Sequence, residues 1–324
     1  MRTRRIFVMG LVAVAAAVAG AAQAKDYPER PVKIIVPYPP GGAVDVIARI
    51  MAQKLSEGTG GQFYVENLAG AGGDIGTRAA AAAAADGQTL LFTSPDFVIR
   101  PLLNRKAPYD PIASFAPISL VVTSPSMIAV HSSVPAKTMR ELIDLLRTHP
   151  GKYTLGTPGY GTAPHLEGER LYRQTFGLEI VPVPFQGFGP AVTSTIAGHT
   201  SILGAPVPLV APYIKDGTLR ALAIASARRS EAFPDVPTLA EAGIPDQEAG
   251  FTGGVVAPAG TPKNIVDLLH KQIVRIVALP DVKERLATLD FDPVANTPEE
   301  FGAWIKDNFN KWRDVVRATN IRIE

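Results

Sequence analysis

The sequence predicts an α/β fold made of two similar halves. Short β-branched segments alternate with helical segments, and this alternation is typical of parallel sheets with right-handed crossovers. The pattern begins near residue 32 and begins again near residue 152. In each half, two predicted strands lead through a joint of small residues into a helix. We therefore expect two α/β domains that face each other.

The first half is predicted from three apolar strands. Each is a short run rich in β-branched or aromatic residues, as in strands buried on both faces. The predicted strands are residues 32–38, 63–68 and 89–94. Between the first two, Ile47, Met51 and Leu55 recur at helical spacing and predict a helix that ends near Gly58. An alanine-rich helix is predicted to end near Ala85.

The second half repeats this order. The predicted strands are residues 153–156, 180–185, 202–205 and 219–226, and a helix is predicted at residues 166–176. The C-terminal part is predicted to be helical, because Thr261-Pro262 and Thr297-Pro298-Glu299-Glu300 are signals for helix starts. Trp304 and Trp312 lie on one face of the last helix, and we assign both to core packing.

Two extended segments are predicted to cross between the halves. Residues 118–130 are apolar and β-branched, and residues 250–258 are rich in glycine. Two crossings would form a double hinge that allows closure over a ligand. The predicted first domain is residues 25–124 and 252–324, and the predicted second domain is residues 125–251.

The N-terminus predicts export. An arginine-rich start precedes an alanine-rich apolar run that is short for a membrane span, and Ala22-Gln23-Ala24 is a small-residue cleavage site. We expect a signal peptide at residues 1–24, cleavage after Ala24 and a periplasmic protein. The Sec and twin-arginine routes both stay open.

Composition argues against nucleic-acid binding. The leader carries three arginines, so its removal lowers Lys+Arg from 32 to 29, against 30 Asp+Glu. A chain this close to neutral lacks the basic surface that nucleic acids require. The chain has no cysteine, so an exported protein must be held together by its core alone.

Four joints of small residues follow predicted strands at their carboxyl ends, where open α/β sheets bind ligands. They are the first joint (residues 39–45), the second (69–76), the third (157–165) and the fourth (186–190). Glycine permits close backbone approach, and a helix N-terminus attracts a negative group, so we predict carboxylate binding. The candidate ligand-binding residues are Tyr38, Pro40, Gly41, Gly42, Asp45, Gly72, Gly73, Ser94, Gly159, Thr162, Ala163, His165, Gly187, Phe188, Gly189 and Pro190.

Two of these candidates keep two interpretations. Asp45 either contacts the ligand or caps the helix that follows it. His165 hydrogen-bonds either to the ligand or to carbonyl groups of its own joint. Only Glu169 could share its helix face as a metal ligand, so no metal is predicted.

No cofactor and no enzyme chemistry are predicted. The sequence has no Gly-x-Ser-x-Gly elbow and no close pair of carboxylates. A dinucleotide motif fails, because Ile75 stands where its third glycine is required. Tyr38, Tyr160 and Phe188, around a cleft expected to be poor in fixed charge, favour a ligand with an apolar body.

Longer motifs run from residue 27 to near the C-terminus. They include Tyr27-Pro28-x-Arg30-Pro31, Pro40-Gly41-Gly42-x-x-Asp45-x-x-Ala48-Arg49, Glu66-Asn67-x-x-Gly70-Ala71-Gly72-Gly73-x-Ile75-Gly76, Asp235-Val236-Pro237-Thr238-Leu239 and Ala257-Pro258-Ala259-Gly260-Thr261-Pro262. On these motifs the chain resembles the extracytoplasmic solute receptors of tripartite tricarboxylate transporters, also called the Bordetella uptake family. It departs from the family pattern at the cleft edge and hinge, at Leu68-Ala69, Thr200-Ser201 and Phe251-Thr252-Gly253-Gly254.

The resemblance implies a two-domain fold of the type II periplasmic-binding-protein kind. Each domain would be a mostly parallel sheet flanked by helices, with the ligand in the cleft between them. The first and second joints would hold one carboxylate, often through ordered water, and the third and fourth would close on the other end of the ligand. The resemblance also implies a membrane permease partner with a large and a small subunit.

We therefore expect a receptor for a small organic carboxylate, such as an aromatic or a dicarboxylic acid. A monomer is expected, because no symmetric apolar stripe is visible in the sequence. Two alternatives stay open. One is a subunit that presents its bound ligand to a membrane sensor kinase. The other is an exported enzyme acting on small acids, with His165 or Asp45 as its base.

Overall fold

The computed structural model of the chain describes residues 27–104, 108–244, 249–289, 291–319 and 321. The predicted signal peptide and its cleavage site lie outside the described residues. Within the described part of the chain, no helix is both long enough and apolar enough to cross a membrane.

The first half forms a three-stranded parallel sheet. Its elements are β1 (Val32–Val36), α1 (Ala43–Thr59), β2 (Phe63–Asn67), α2 (Asp74–Ala81), β3 (Thr89–Phe92) and α3 (Asp96–Leu103). β1 is central and pairs in parallel with β2 on one side and β3 on the other. α1 buries Ile47, Met51 and Leu55 completely, so the predicted apolar face of this helix is its core face.

The second half repeats this arrangement after a long strand, β4 (Phe115–His131). Its further elements are α4 (Met139–Thr148), β5 (Thr154–Thr157), α5 (Ala163–Gly168), β6 (Val181–Pro184), α6 (Phe188–Ile196), β7 (Ile202–Pro206), α7 (Val207–Lys215) and β8 (Leu219–Ala225). β5 pairs in parallel with β6 and β7. β4 pairs antiparallel with β7 and β8, so this part of the sheet is mixed.

Two antiparallel strands, β4 and β9 (Gly250–Pro258), connect the halves. β4 pairs with β9 from Phe115 to Pro125, and then with β7 and β8 from Ser126 onward. β9 also pairs antiparallel with β3. The two segments that the sequence predicts as crossings are therefore strands that run side by side between the halves.

The C-terminal elements pack against the first half. They are α8 (Lys263–Ala278), α9 (Pro280–Thr288), β10 (Asp292–Pro293) and α10 (Pro298–Thr319). The predicted capping box forms, since Glu300 N–H donates to Thr297 Oγ1 and Thr297 N–H donates to the Glu300 carboxylate. Trp312 is buried and Trp304 is half-buried in one apolar cluster with β3, α3 and β9 residues, which confirms their packing role.

The structure differs from the sequence prediction in several elements. The alanine-rich helix ends at Ala81 instead of Ala85, where the sequence gives no stop signal because alanine favours helix throughout. Residues 166–176 are not one α-helix, since α5 ends at Gly168 and a π-helical segment follows over Glu169–Thr175. The sheet is mixed, because the crossing strands run antiparallel to their neighbours.

Three of the described helices are absent from the sequence prediction: α3, α4 and α7. Two of them, α3 and α7, contain an internal proline, Pro101 and Pro212. Proline lowers helix propensity strongly, so these segments do not stand out as helices. Burial of their apolar faces in the surrounding clusters stabilises them in the fold.

Candidate functional site

The first joint connects β1 to α1 and has no side chain capping the helix. Gly41 has a φ of 88°, and Gly42 is the N-cap of α1 without a side-chain hydrogen bond. Both glycines are exposed. The first N–H groups of α1 are therefore left without a side-chain partner, which suits an incoming anion.

Asp45 anchors the first joint from behind. Its side chain is buried, and its Oδ2 accepts from Gly41 N–H and Arg49 Nε, both at 2.9 Å. Its Oδ1 accepts from Asn67 Nδ2 at 2.9 Å. Burial alone would raise the pKa of Asp45, but these hydrogen bonds outweigh it and hold the pKa below its usual value. Asp45 lies inside α1 and bonds back to Gly41, before the N-cap Gly42, so it holds the first joint and does not cap the helix.

The second joint connects β2 to α2 through a run of left-handed residues. φ is 133° at Gly70, 49° at Ala71, 65° at Gly72 and 102° at Gly73. Backbone N–H groups in such tightly turned segments converge and form concavities that bind anions. Gly73 is the N-cap of α2 and again supplies no side-chain hydrogen bond to the helix.

Arg100 clamps the second joint. Its Nη2 donates to the Ala71 carbonyl at 2.8 Å and to Asp74 Oδ2 at 3.0 Å, and its Nε donates to Asp74 Oδ1 at 3.4 Å. Both side chains are 11% exposed, so the ion pair is mostly buried. The guanidinium lies against Gly72, where an added Cβ would be 2.8 Å from Cζ. An Asp–Arg pair therefore braces each of the first two joints.

The first and second joints lie side by side. β1 and β2 are adjacent parallel strands, so their carboxyl ends meet at one edge of the sheet. Asn67, at the end of β2, donates to the Tyr38 carbonyl at 3.0 Å. A Cβ on Gly73 would lie 3.3 Å from the Tyr38 hydroxyl. The structure thus brings together five candidates: Tyr38, Gly41, Gly42, Gly72 and Gly73.

A shallow pocket with no room for a water molecule lies beneath the second joint. The Tyr38 hydroxyl is 2.6 Å from Ser94 Oγ and donates to Asp96 Oδ2 at 3.2 Å. Arg100 also lines this pocket. Two charged side chains, Asp96 and Arg100, therefore lie beneath the second joint, next to the cleft that the sequence predicts to be poor in fixed charge.

Sequence reasoning missed Asp96 and Arg100. Both belong to α3, which the sequence analysis did not predict. Ser94-Pro95-Asp96 carried a usable signal, because a serine, a proline and an acidic residue in succession are typical of a helix start. Nothing in the sequence indicates that Arg100 would reach back to the second joint, 26 residues earlier at Asp74.

Asp96 connects the two halves. Its Oδ1 accepts from the backbone N–H of Ala163, the first residue of α5, at 3.0 Å. Ala163 and Leu166 also pack into the apolar cluster that contains Phe97 of the first half. The contact places the third joint next to Tyr38 and Ser94.

His165 is buried in the third joint and bonds within it. Its Nδ1 accepts from Gly161 N–H at 2.9 Å, so the proton of the neutral ring is on Nε2. The Tyr160 ring lies 4.7 Å away between centroids and is about half exposed. His165 therefore bonds to its own joint, as one interpretation held, but to an N–H group and not to a carbonyl. Thr162 Oγ1 donates to the Gly159 carbonyl at 2.7 Å.

The fourth joint is tied to the third. Gly187, the N-cap of α6, has a φ of 108°, and its N–H donates to the Pro158 carbonyl at 2.9 Å. Gly189 and Pro190 are exposed. Phe188 is half-buried against the second half's apolar cluster, so part of its ring serves packing.

Two groups near the third joint have shifted pKa values, one lowered and one raised. Burial, with the positive charge of Arg173, lowers the pKa of His165 to about 4. Burial raises the pKa of Glu167 to about 7, although Lys311 and the Gly250 backbone oppose this shift. His165 is therefore neutral at neutral pH, and Glu167 titrates there.

These shifts predict opposite pH dependences for two variants. Between pH 6.5 and about 4, His165 is protonated in the unfolded chain but stays neutral in the native protein. Acidification in this range therefore lowers the free energy of unfolding that His165 contributes. Between about pH 7 and 4.5, Glu167 is protonated in the native protein but ionised in the unfolded chain. Acidification in this range therefore raises the free energy of unfolding that Glu167 contributes. For each of the two groups, the free energy of unfolding changes by at most about 1.4 kcal/mol per pH unit.

Melting curves at pH 7.5 and pH 5 of the wild type, His165→Gln and Glu167→Gln test this pair. Relative to the wild type, we expect the histidine variant to become more stable on acidification and the glutamate variant to become less stable. Variants whose melting temperatures follow the wild type in parallel at both pH values would contradict the two assignments.

In the described part of the chain, no group of three or more His, Cys, Asp or Glu side chains is placed to hold a metal ion. The polar groups that converge at the joints are backbone N–H groups, hydroxyls and paired charges. Such a set can bind and orient an anion, but it does not place an activated nucleophile beside a base.

Three kinds of comparison relate this chain to known proteins. Residues 47–321 match the model of a family described as tripartite tricarboxylate transporter family receptor. Protein BugT of Bordetella pertussis is 36% identical over 324 residues, which is 99% of each chain. The structure of the periplasmic binding protein BugD is 32% identical, with a TM-score of 0.82, and the match covers 92% of this chain and 100% of that one.

A further structural neighbour carries a ligand. It is a protein of R. palustris, solved with adipate, that is 29% identical to this chain with a TM-score of 0.84. The match covers 92% of this chain and 99% of that one. With 92% of this chain covered in each case, the similarity to this neighbour and to BugD includes both halves.

Proposed function

Because this chain belongs to the tripartite tricarboxylate transporter family of receptors, we propose that it binds a small organic carboxylate between its two halves. The observation that carries the proposal is the pair of adjacent glycine joints at the carboxyl ends of β1 and β2. Each opens on a helix N-terminus without a side-chain cap, and each is held in place by an Asp–Arg pair.

Family membership confirms the predicted resemblance, and the similar structures confirm the predicted α/β fold of a periplasmic binding protein. The family is one of receptors, and BugD is a binding protein. The prediction of a binding protein, as opposed to an enzyme, is confirmed on that ground.

The electrostatics of the two joints favour a carboxylate. The charges of Arg49 and Arg100 are matched by Asp45 and Asp74, so neither guanidinium is left without a counter-charge. What remains for a ligand is the positive end of two helix dipoles and their N–H groups. Hydrogen bonds to a charged group contribute about 1.5–3 kcal/mol each, against about 1 kcal/mol for neutral pairs, so an anion gains most from this arrangement.

We assign the candidate residues to two ends of the ligand. Pro40, Gly41, Gly42, Gly72 and Gly73 would surround the carboxylate, with Asp45 and Arg100 acting through the loops that they hold. Tyr38 and Ser94 would form the floor. The third and fourth joints would face the other end of the ligand, with contacts from Gly159, Thr162, Ala163, His165, Gly187, Phe188, Gly189 and Pro190. The R. palustris neighbour was solved with adipate, which supports a carboxylate as the class of ligand.

The domain division follows from the crossing strands. We propose that residues 25–124 and 252–324 move as one domain and residues 125–251 as the other, with the hinge in β4 and β9. Closure of the two would cover the ligand. The closed, loaded form would be the one recognised by a membrane permease with a large and a small subunit.

We place the mature protein in the periplasm, as a monomer that starts at Lys25. BugD is described as a periplasmic binding protein, and the arginine-rich, apolar start of this chain has the composition of a signal peptide. Mass spectrometry of the protein from a periplasmic extract checks the cleavage after Ala24.

A matched series of free acids and methyl esters tests the carboxylate proposal. We expect at least one mono-, di- or tricarboxylate, at about 100 times its dissociation constant, to raise stability by about 2.7 kcal/mol. For a protein of this size that is a melting shift of about 5 °C. The corresponding ester should bind at least about tenfold more weakly, because it cannot place a negative charge at the helix N-termini.

Equal binding of acid and ester would contradict the anion assignment. Turnover of any bound acid would contradict the receptor role.

A further inference from the structure

Asp96 places a carboxylate between Tyr38, which lies beneath the second joint, and the third joint, where the two halves meet. Its Oδ1 accepts from Ala163 N–H at 3.0 Å and its Oδ2 accepts from the Tyr38 hydroxyl at 3.2 Å. The N–H at the start of α5 that a second ligand carboxylate would use is thus already bonded to a carboxylate of the protein. The Ala163 N–H and the Tyr38 hydroxyl are both uncharged, so neither supplies a counter-charge to Asp96.

Among the described residues, the cations near Asp96 already interact with carboxylates of the protein. Arg100 is paired with Asp74, and Arg173 is paired with Glu169. His165 is neutral because its pKa is about 4. The other charged groups that face this region from α5, α10 and the π-helical segment are Glu167, Lys311 and Arg170, whose charges act on one another.

Burial raises the pKa of Asp96, while the hydrogen bonds from Ala163 and Tyr38 and the charge of Arg100 favour its ionised form. A further negative charge beside it would oppose ionisation again. A ligand that brings a second carboxylate to the third joint must therefore displace Asp96, take up a proton or accept like-charge repulsion in a half-buried site.

We propose that Asp96 selects against a second carboxylate, so that this receptor takes a monocarboxylic acid whose far end is neutral or donates hydrogen bonds. The proposal rests on the carboxylate-receptor function and narrows its ligand class. The half-exposed Tyr160 ring and the half-buried Phe188 ring offer apolar contact to such a far end.

Asp96→Asn is a suitable variant because the network can survive it. The asparagine Oδ1 can accept from Ala163 N–H as before. Its Nδ2 can donate to the Tyr38 oxygen if Tyr38 turns its proton to Ser94 Oγ, which is 2.6 Å away. The variant removes the charge and keeps the shape. Asp144→Asn is a matched control, since Asp144 is an exposed carboxylate on α4 paired only with nearby Arg147.

The test is calorimetric titration of the mature wild type and both variants with three pairs of acids that differ by one carboxylate: butanoate and succinate, hexanoate and adipate, benzoate and terephthalate. We expect the wild type to bind the monocarboxylate of at least one pair about tenfold or more tightly than its partner. Asp96→Asn should reduce that preference about tenfold, and Asp144→Asn should leave it unchanged.

Two results would overturn the proposal while leaving the receptor function intact. One is a wild type that binds every dicarboxylate as tightly as its partner, a measurement that needs no variant. The other is a folded Asp96→Asn protein with an unchanged preference. If none of the six acids bound to the wild type or to Asp96→Asn, the carboxylate-receptor function itself would fail, and the narrower proposal with it.

Discussion

Replacing Arg100 by methionine is expected to lower the free energy of unfolding by about 3 kcal/mol and to abolish carboxylate binding. Asp74 is buried, and Arg100 supplies both hydrogen bonds between the two side chains. Without the guanidinium, Asp74 would be a buried charge with no counter-charge. The Ala71 carbonyl would lose a 2.8 Å hydrogen bond as well.

The loss of binding has a separate cause. Four consecutive residues of the second joint, from Gly70 to Gly73, have positive φ, and the guanidinium rests on Gly72. Ala71 is the strained member, because an L side chain rarely adopts φ of 49°. Arg100 holds the Ala71 carbonyl in this conformation. Its removal should let the joint relax and separate the N–H groups that we propose surround the ligand's carboxylate.

Urea denaturation and calorimetric titration measure the two effects separately. The double variant Arg100→Met, Asp74→Asn should recover most of the lost stability, because removing both charges leaves no buried ion unpaired. It should not recover binding, since the joint is still unclamped. A double variant that regains full affinity would show that the clamp does not position the joint.

Arg49→Met is the control for the first joint. Asp45 is buried, but Arg49 is about half exposed, and Asp45 keeps its hydrogen bonds from Gly41 and Asn67 when Arg49 is replaced. We expect a loss of about 1 kcal/mol, because the Arg49 guanidinium lies largely in water. The contrast between the two arginines tests whether burial of the guanidinium causes the larger effect.

The difference between these two pairs also explains what the sequence could predict. The first and second joints could be predicted because strand, glycine and helix signals are local. Asp45 was placed in the first joint for the same reason, since it lies four residues from Gly41, but it bonds to the joint and does not cap α1. Arg100 and Asp96 act over long sequence separations, from a helix whose proline obscures it. Their roles depend on the packing of α3 against the sheet, which no local pattern encodes.

Strand direction was unpredictable for a related reason. An apolar, β-branched run predicts a buried strand whether its neighbours are parallel or antiparallel. β4 and β9 were recognised as extended segments, but their antiparallel pairing places residues 115–125 opposite residues 250–258, more than 120 positions apart in the chain. The mixed sheet is therefore a property of the tertiary structure.

Gly250→Ala is expected to destabilise the protein by about 2 kcal/mol and to weaken ligand binding. Gly250 is opposite Pro125 where β4 and β9 cross between the halves. A Cβ there would collide with the Ser124 carbonyl oxygen and lie 3.0 Å from the Pro125 Cα. Both neighbours are backbone atoms, so the two strands must separate to make room.

Separation of the strands at this position would change how the two halves are positioned relative to each other. The Gly250 backbone also hydrogen-bonds the Glu167 carboxylate of α5, so a shift of β9 would pull on the third joint. Gly204→Ala is the matched control, because Gly204 lies in β7, also pairs with β4, and has no atom within 4 Å of an added Cβ. We expect it to change stability by less than about 0.5 kcal/mol.

Chemical denaturation and titration with the best-binding acid compare the two glycine variants. Loss of both stability and affinity in Gly250→Ala alone would place ligand-site geometry under the control of the crossing strands. If Gly250→Ala lost stability but bound its ligand normally, the crossing would be a structural connection only. In that case the relative position of the halves would be set by other contacts, such as the hydrogen bond from Ala163 N–H to Asp96.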